Sequence, residues 1–311
     1  MELKNKKIVV TGGAGFLGRF VVHKLEQAGC KNIFVPRSRD FNLIEKEACH
    51  NVVKDQDMII HLAGLVGGIG LHEEMPGTIF YNNMMMGVQL MEEARKAGVE
   101  KFVTIGTVCS YPKFTPVPFK EENLWEGYPE ETNAPYGIAK KALLVQGQAY
   151  RKEFNFNAIF LLPVNLYGPY DNFNPDSSHV IAALIKKIYD AKKSKQNSIT
   201  VWGTGNATRE FLYVEDAAEG IIMAAEKYDG GSPVNLGTGS EISIKDLVRL
   251  IAGHANFNGK IIWDSSKLEG QPKRMLDVSR AEKEFGFRAK TNLSDGLKKT
   301  IEWYERQQAG K

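Results

Sequence analysis

Residues 7–18 read Lys7-Ile8-Val9-Val10-Thr11-Gly12-Gly13-Ala14-Gly15-Phe16-Leu17-Gly18, and this stretch decides the fold. Lys7 to Val10 is a short β-branched run without polar alternation, the pattern of a strand covered on both faces. Glycines follow at once, and then Phe20, Val21, Leu25 and Ala28 recur on one face of a helix. The glycine spacing is G-x-x-G-x-x-G. Gly12 and Gly15 allow a tight turn and a close approach to a ligand, and Gly18 lets the helix pack against the strand. The free N–H groups at the helix start attract an anion. Strand, glycine turn and helix in that order point to the pyrophosphate of a dinucleotide, with Gly12, Gly15, Phe16, Leu17 and Gly18 as its candidate cradle.

The same alternation continues outward. Strand-like runs occur at Asn32 to Val35, Asp57 to Leu62, Lys101 to Ile105 and Ala158 to Leu162, with helical stretches around Met86 to Ala97 and Tyr136 to Phe154 between them. Such a chain is expected to be α/β, with a doubly wound parallel sheet buried by right-handed crossovers. Past residue 170, loops rich in Asn, Pro, Ser and Gly interrupt shorter elements. The expected division is a nucleotide-binding domain over residues 1–170 and a smaller substrate-binding α/β lobe over 171–311, some of whose segments return to the main sheet. No repeat or low-complexity tract interrupts this pattern.

Composition narrows the class. The 311 residues include 40 basic and 37 acidic side chains, a net charge of +3, with 43% hydrophobic residues. That balance excludes wholesale disorder and carries no nucleic-acid footprint. No window approaches the roughly 18 apolar residues of a membrane span. Three cysteines, Cys30, Cys49 and Cys109, cannot all pair, and a secretory leader is not evident, so a reduced cytoplasm is expected. The histidines show no ligand spacing, and no metal site is expected.

Three further patterns carry chemistry. Pro36-Arg37-Ser38-Arg39-Asp40 follows the second strand, placing two guanidiniums where an acid would hold a ribose 2′-hydroxyl. Arginine there suits a 2′-phosphate, so Arg37 and Arg39 favour NADP over NAD. Tyr136 and Lys140 stand four apart on one helical face. A neighbouring ammonium is expected to favour the phenolate and bring the phenol into range of proton transfer. Thr107, just past the fourth strand run, can hydrogen-bond a substrate oxygen beside Tyr136.

With the glycine turn, His61-Leu62-Ala63-Gly64, Thr107, Tyr136 and Lys140, the chain resembles the extended short-chain dehydrogenase/reductases, which have a Rossmann sheet. Within them it resembles the GDP-L-fucose synthase family of epimerase/reductases. That narrower likeness runs through Gly67-Gly68-Ile69, Cys109-Ser110-Tyr111-Pro112, Thr132 to Tyr136, Asn165 to Pro169, Ser178-His179-Val180-Ile181, Val201 to Gly205, Arg209 to Leu212 and Arg274-Met275-Leu276-Asp277. The resemblance implies conversion of GDP-4-keto-6-deoxy-mannose to GDP-L-fucose with NADPH. Cys109 and His179 would epimerise C3 and C5, Tyr136 would protonate the C4 oxygen, Thr107 would hold that oxygen, and Lys140 would bind the nicotinamide ribose. It also implies cofactor contacts at Leu62, Ala63, Gly64, Pro163, Asn165, Leu166 and His179, and substrate contacts at Asn165, Lys187, Trp202 and Arg209. Trp202 can stack on the base and Arg209 can clamp the diphosphate. Arg274 and Asp277 would close over the nucleotide, and a homodimer would form through the helix bearing Tyr136 and its predecessor.

The chemistry accounts for a cysteine and a histidine together. A C4 ketone acidifies the hydrogens at C3 and C5, and inversion needs one group to remove a proton and another to return one on the opposite face. A thiol and an imidazole suit that exchange near neutral pH. The competing readings are an NAD-dependent nucleotide-sugar 4-epimerase or 4,6-dehydratase, the same chemistry on a related GDP-4-keto sugar, or a non-catalytic NADP sensor. A plain 4-epimerase has no use for the Cys109 and His179 pair. A dehydratase would place an acid–base carboxylate pair where Val108-Cys109 stands.

Overall fold

The computed structural model describes residues 1–175, 177–266 and 271–310. In chain order the elements are β1 (Lys7–Thr11), α1 (Phe16–Gln27), β2 (Asn32–Phe34), α2 (Lys46–Val53), β3 (Met58–His61), α3 (Ile69–Glu74), α4 (Pro76–Lys96) and β4 (Lys101–Ile105). They continue with α5 (Ala134–Phe154), β5 (Ala158–Pro163), β6 (Asn165–Tyr167), α6 (Val180–Lys193), β7 (Ser198–Trp202), β8 (Thr208–Tyr213) and α7 (Val214–Lys227). The last are β9 (Val234–Leu236), β10 (Glu241–Ser243), α8 (Ile244–His254), β11 (Lys260–Asp264), α9 (Ser279–Phe285) and α10 (Leu293–Ala309). The expected strand runs form strands, and α4 extends ten residues further toward the N-terminus than its apolar periodicity marks, because Pro76 opens it at a position that needs no N–H.

The central sheet has the order β2-β1-β3-β4-β5-β9 and every pairing in it is parallel. Ile8, Val9, Val10, Met58, Ile59, Ile60, Phe102 and Val103 are fully buried, as expected of strands with helices on both faces. Strand order reverses at β1, so a crevice opens at the carboxyl ends of β1 and β3, where such sheets bind ligands. Each site-forming segment leaves a carboxyl end: the glycine turn from β1, Leu62 to Gly64 from β3, Thr107 from β4, and Asn165 beyond β5.

A second apolar core gathers Ile181, Leu184, Ile185 and Ile188 of α6 with Leu247, Val248 and Ile251 of α8 and Leu297 and Ile301 of α10. It carries a three-stranded sheet, β10-β8-β6, and a parallel pair, β11-β7. Residues 214–236 and 276–287 return to the first core: α7 packs beside α1, and β9 pairs with β5. The two cores therefore share chain segments, which fixes one against the other across the crevice.

Candidate active site

The glycine turn is set by contacts that admit no side chain. Gly12 has φ +70°, and a Cβ there would lie 2.9 Å from the Ala63 nitrogen. A Cβ on Gly18 would lie 2.1 Å from the Gly12 carbonyl oxygen, so α1 starts hard against the end of β1. Thr11 Oγ1 accepts the Ala63 N–H at 3.2 Å and shares a 2.9 Å hydrogen bond with His61 Nδ1, tying β1 to β3. His61 is fully buried, and desolvation with the nearby Lys140 charge pushes its pKa down to about 3, so it is a neutral packing group. At the end of the adjacent strand, Arg37 and Arg39 are exposed, with Arg39 Nε on Asp40 at 3.1 Å. The backbone cradle, the opening turn of α1 and these two guanidiniums fit a dinucleotide bearing an extra phosphate.

Thr107 ends the β4 excursion in extended backbone, and its hydroxyl accepts the Cys109 N–H at 3.1 Å, capping the short turn Val108–Ser110. Ser110 Oγ donates to the Gly137 carbonyl at 3.0 Å. A Cβ on Gly137 would come within 2.4 Å of the Cys109 carbonyl oxygen, so the first turn of α5 lies directly on the cysteine backbone. This close approach, permitted by glycine alone, brings Tyr136 beside Cys109.

Tyr136 is 8% exposed. Burial, reinforced by Cys109, pushes its pKa above the ordinary value, opposite to the direction expected from the Lys140 ammonium. Lys140 Nζ is 5.9 Å from the Tyr136 ring centre and rests against Gly64, and its own pKa is lowered by desolvation to about 8. Both shifts have one cause: the two groups share a nearly dry pocket in which burial outweighs their mutual attraction. The result is a phenol that keeps its proton at neutral pH, the form required of a proton donor.

Cys109 is half-buried, whereas Cys30 and Cys49 are buried; Cys49 donates to the Leu43 carbonyl, and desolvation raises its pKa to about 12. The Cys109 thiol donates to Asn133 Oδ1 at 3.8 Å, and Asn133 is anchored by Glu130 through its Nδ2 at 2.5 Å. Arg274 Nη1 lies 3.6 Å from the same sulfur.

His179 immediately precedes α6 and is exposed to solvent. Surrounding protein mass, with the charges of His72 and Arg274, lowers its pKa and favours the neutral imidazole. Arg274 thus stands within electrostatic reach of both Cys109 and His179. His72 was not marked by any sequence pattern. It is 3% exposed, packs edge-on to Tyr136 with ring centres 5.6 Å apart, and leaves its Nδ1 without a hydrogen-bond partner.

The other expected contacts spread along the second lobe. Pro163 ends β5, and Leu166 packs on the first core. Asn165 donates to the Glu210 carbonyl at 2.9 Å, and exposed Lys187 donates to the Thr200 carbonyl at 2.7 Å. Trp202 ends β7 and is 59% exposed; Arg209 on β8 donates to the Thr208 carbonyl at 2.7 Å. Asp277 is turned to its own chain, accepting the Ser279 N–H at 2.9 Å at the start of α9. Among the described residues no group of three or more His, Cys, Asp or Glu side chains is arranged to hold a metal ion.

Residues 8–237 match the NAD dependent epimerase/dehydratase family, and the chain belongs to it. Within that family it is similar, over nearly its whole length, to the GDP-L-fucose synthases. It is 37% identical to a probable GDP-L-fucose synthase 1 of Oryza sativa subsp. japonica, over 97% of this chain and 92% of that one. It is 32% identical to a GDP-L-colitose synthase of Yersinia pseudotuberculosis, over 96% and 97% of the two chains. The solved structure of a GDP-L-fucose synthetase from Naegleria fowleri bound to NADP superposes with a TM-score of 0.89 at 28% identity, covering 98% of this chain and 94% of that one.

Proposed function

We propose that this chain is an NADPH-dependent epimerase/reductase that converts GDP-4-keto-6-deoxy-mannose to GDP-L-fucose. The observation that carries the reading is the cluster around Arg274. A thiol and an imidazole of different residues lie within reach of one cation, beside a protonated phenol at the mouth of a dinucleotide cradle. The relatives named above supply the nucleotide and sugar class.

In this reading Gly12, Gly15 and Gly18 take the pyrophosphate and Arg37 and Arg39 the 2′-phosphate. Leu62 to Gly64 and Lys140 hold the ribose end, with Pro163, Asn165 and Leu166 lining the far wall. When bound, NADPH supplies hydride to C4. Cys109 and His179 exchange protons with C3 and C5: a C–H bond breaks toward one of them, its electron pair delocalises into the C4 carbonyl as an enolate, and the other returns a proton on the opposite face. Thr107 steadies the C4 oxygen, and Tyr136 gives it a proton as the carbonyl is reduced. Trp202 offers its exposed face to the base, and Arg209 and Lys187 offer charge to the diphosphate.

The decisive experiment incubates the enzyme with NADPH and GDP-4-keto-6-deoxy-mannose. Stoichiometric NADPH oxidation with a product inverted at C3 and C5 is expected. Oxidation without inversion, or turnover only on a related GDP-4-keto sugar, would overturn the substrate assignment.

We also infer a homodimer through α4 and α5. Phe80 and Tyr81 of α4 and Val145 of α5 are exposed, at 38%, 54% and 49%, as is Tyr128 in the loop before α5, at 65%. A depression of about 380 Å³ between Pro76, Phe80, Tyr128 and Ile138 offers a seat for a second copy. Sedimentation at twice the chain mass is the expected result. A cytoplasmic location is in keeping with three free cysteines, and no helix among the described residues is long and apolar enough to cross a membrane.

A further inference from the structure

We infer that Arg274 is a positioning residue for the acid–base chemistry of Cys109, holding the sulfur in place and stabilising its anionic form, rather than a clamp on the nucleotide. The inference rests on the reading of Cys109 given above and extends it.

The geometry is unusual for a ligand-facing arginine. Arg274 is only 8% exposed. Its Nε and Nη2 both donate to Gln271 Oε1, at 3.3 and 3.2 Å, and Gln271 Nε2 in turn donates to the Lys113 carbonyl at 2.7 Å. One edge of the fork is therefore fixed, and Nη1 is left directed at Cys109 Sγ, 3.6 Å away.

The backbone that carries Arg274 is equally constrained. Its carbonyl accepts the Glu210 N–H at 3.0 Å, Phe119 N–H donates to the Met275 carbonyl at 2.7 Å, and Leu276 N–H donates to Glu210 Oε2 at 2.7 Å. Asp277 N–H completes the ladder on the Phe119 carbonyl at 2.9 Å. Glu210 is fully buried and has no cationic partner among the hydrogen bonds described. Instead it also accepts the Gly239 N–H at 2.8 Å, so it clamps three segments around this strand. The guanidinium is thus held from a rigid base with little freedom to swing toward a nucleotide.

The sulfur sits between two contacts suited to its two protonation states. When protonated, it donates to Asn133 Oδ1 at 3.8 Å; when ionised, it accepts from Arg274 Nη1. Either direction of proton exchange at a ring carbon leaves the sulfur anionic at one end of the step. When Cys109 removes a proton, the electron pair of its thiolate forms the S–H bond while the C–H pair moves into the enolate. When it returns a proton, the S–H pair stays on sulfur beside the guanidinium. A fixed cation beside the sulfur favours the anionic end of either step.

The test needs no substrate for its first arm. At pH 7, iodoacetamide alkylation of Cys109 in the purified chain is followed by peptide mass spectrometry, with buried Cys30 and Cys49 as internal controls. Arg274→Gln is expected to slow Cys109 alkylation by about tenfold or more, and Arg274→Lys to restore part of it. Equal rates in the wild type and Arg274→Gln overturn the inference, whether or not the enzyme turns over the proposed sugar. In the second arm, deuterium entry from D₂O at C3 and C5 of GDP-4-keto-6-deoxy-mannose is measured without NADPH at saturating substrate. Arg274→Gln should slow entry at least tenfold with KM within about threefold of wild type. A raised KM with wild-type exchange at saturation would place Arg274 on the nucleotide and overturn the inference. Arg274→Lys keeps both arms readable should the glutamine variant fold poorly.

Discussion

Gly137→Ala isolates the contact on which the site's geometry depends. A Cβ at this position would lie 2.4 Å from the Cys109 carbonyl oxygen, against an ordinary contact of about 3.4 Å, so about 1 Å must be made up. The obstacle is backbone, and no side-chain rotation relieves it. The first turn of α5 cannot simply retreat, because a Cβ on Gly87 of α4 would likewise strike Leu143 at 2.3 Å, so the two helices already pack without slack. Overpacking of this kind costs about 1–3 kcal/mol. With an unfolding entropy of about 2.1 cal/mol/K per residue over 311 residues, Tm should fall by roughly 2–5 °C. The rate should suffer more than the stability, because Tyr136 immediately precedes Gly137. A displacement of about 1 Å from the reacting atoms costs on the order of 10²-fold. The assay is NADPH oxidation with the 4-keto sugar, run beside a thermal melt of the same preparation. A variant with wild-type kcat and wild-type Tm would refute the account of how α5 places Tyr136.

Tyr136→Phe should lower the reduction rate by roughly 10²–10⁴ while leaving deuterium exchange at C3 and C5 in place, read by NMR. Thr107→Val removes both the cap on the Cys109 N–H and the hydroxyl proposed to steady the C4 oxygen. It should cost about 1 kcal/mol in a denaturant melt and a tenfold or larger loss in kcat, which Thr107→Ser restores. Arg37→Ala with Arg39→Ala should raise KM for NADPH about tenfold or more with little change for NADH; equal effects on both would remove the 2′-phosphate assignment. Lys140 titrates near 8 when folded and near 10.5 when unfolded, so the unfolded chain binds more protons between those values. Stability relative to Lys140→Met should therefore rise as pH climbs from about 8 to about 10.5, by up to about 3 kcal/mol, and stay level below pH 8. A flat difference in melts across pH 7–11 would contradict the burial of the ammonium.

The amino-acid order by itself determined what depends on neighbours a few residues apart. The unalternating runs at Lys7 to Val10 and Lys101 to Ile105, set between amphipathic helical stretches, indicated strands covered on both sides. Gly12 and Gly18 marked the strand-to-helix joint, and Tyr136 and Lys140 shared a face because a helix repeats every 3.6 residues. What the tertiary structure decided lies in pairs distant along the chain. Arg274 meets Cys109 across 165 positions, and no local rule chooses between a sulfur and a nucleotide for its guanidinium. His72 reaches Tyr136 because α3 packs on α4, which lies against α5. β9 joins the first sheet from within the second half, since its three buried residues need an open edge beside β5. The sign of the Tyr136 shift belongs here too. Spacing measures the distance to Lys140, but only the assembled pocket sets how much water surrounds them both, and that exclusion of water outweighs their attraction.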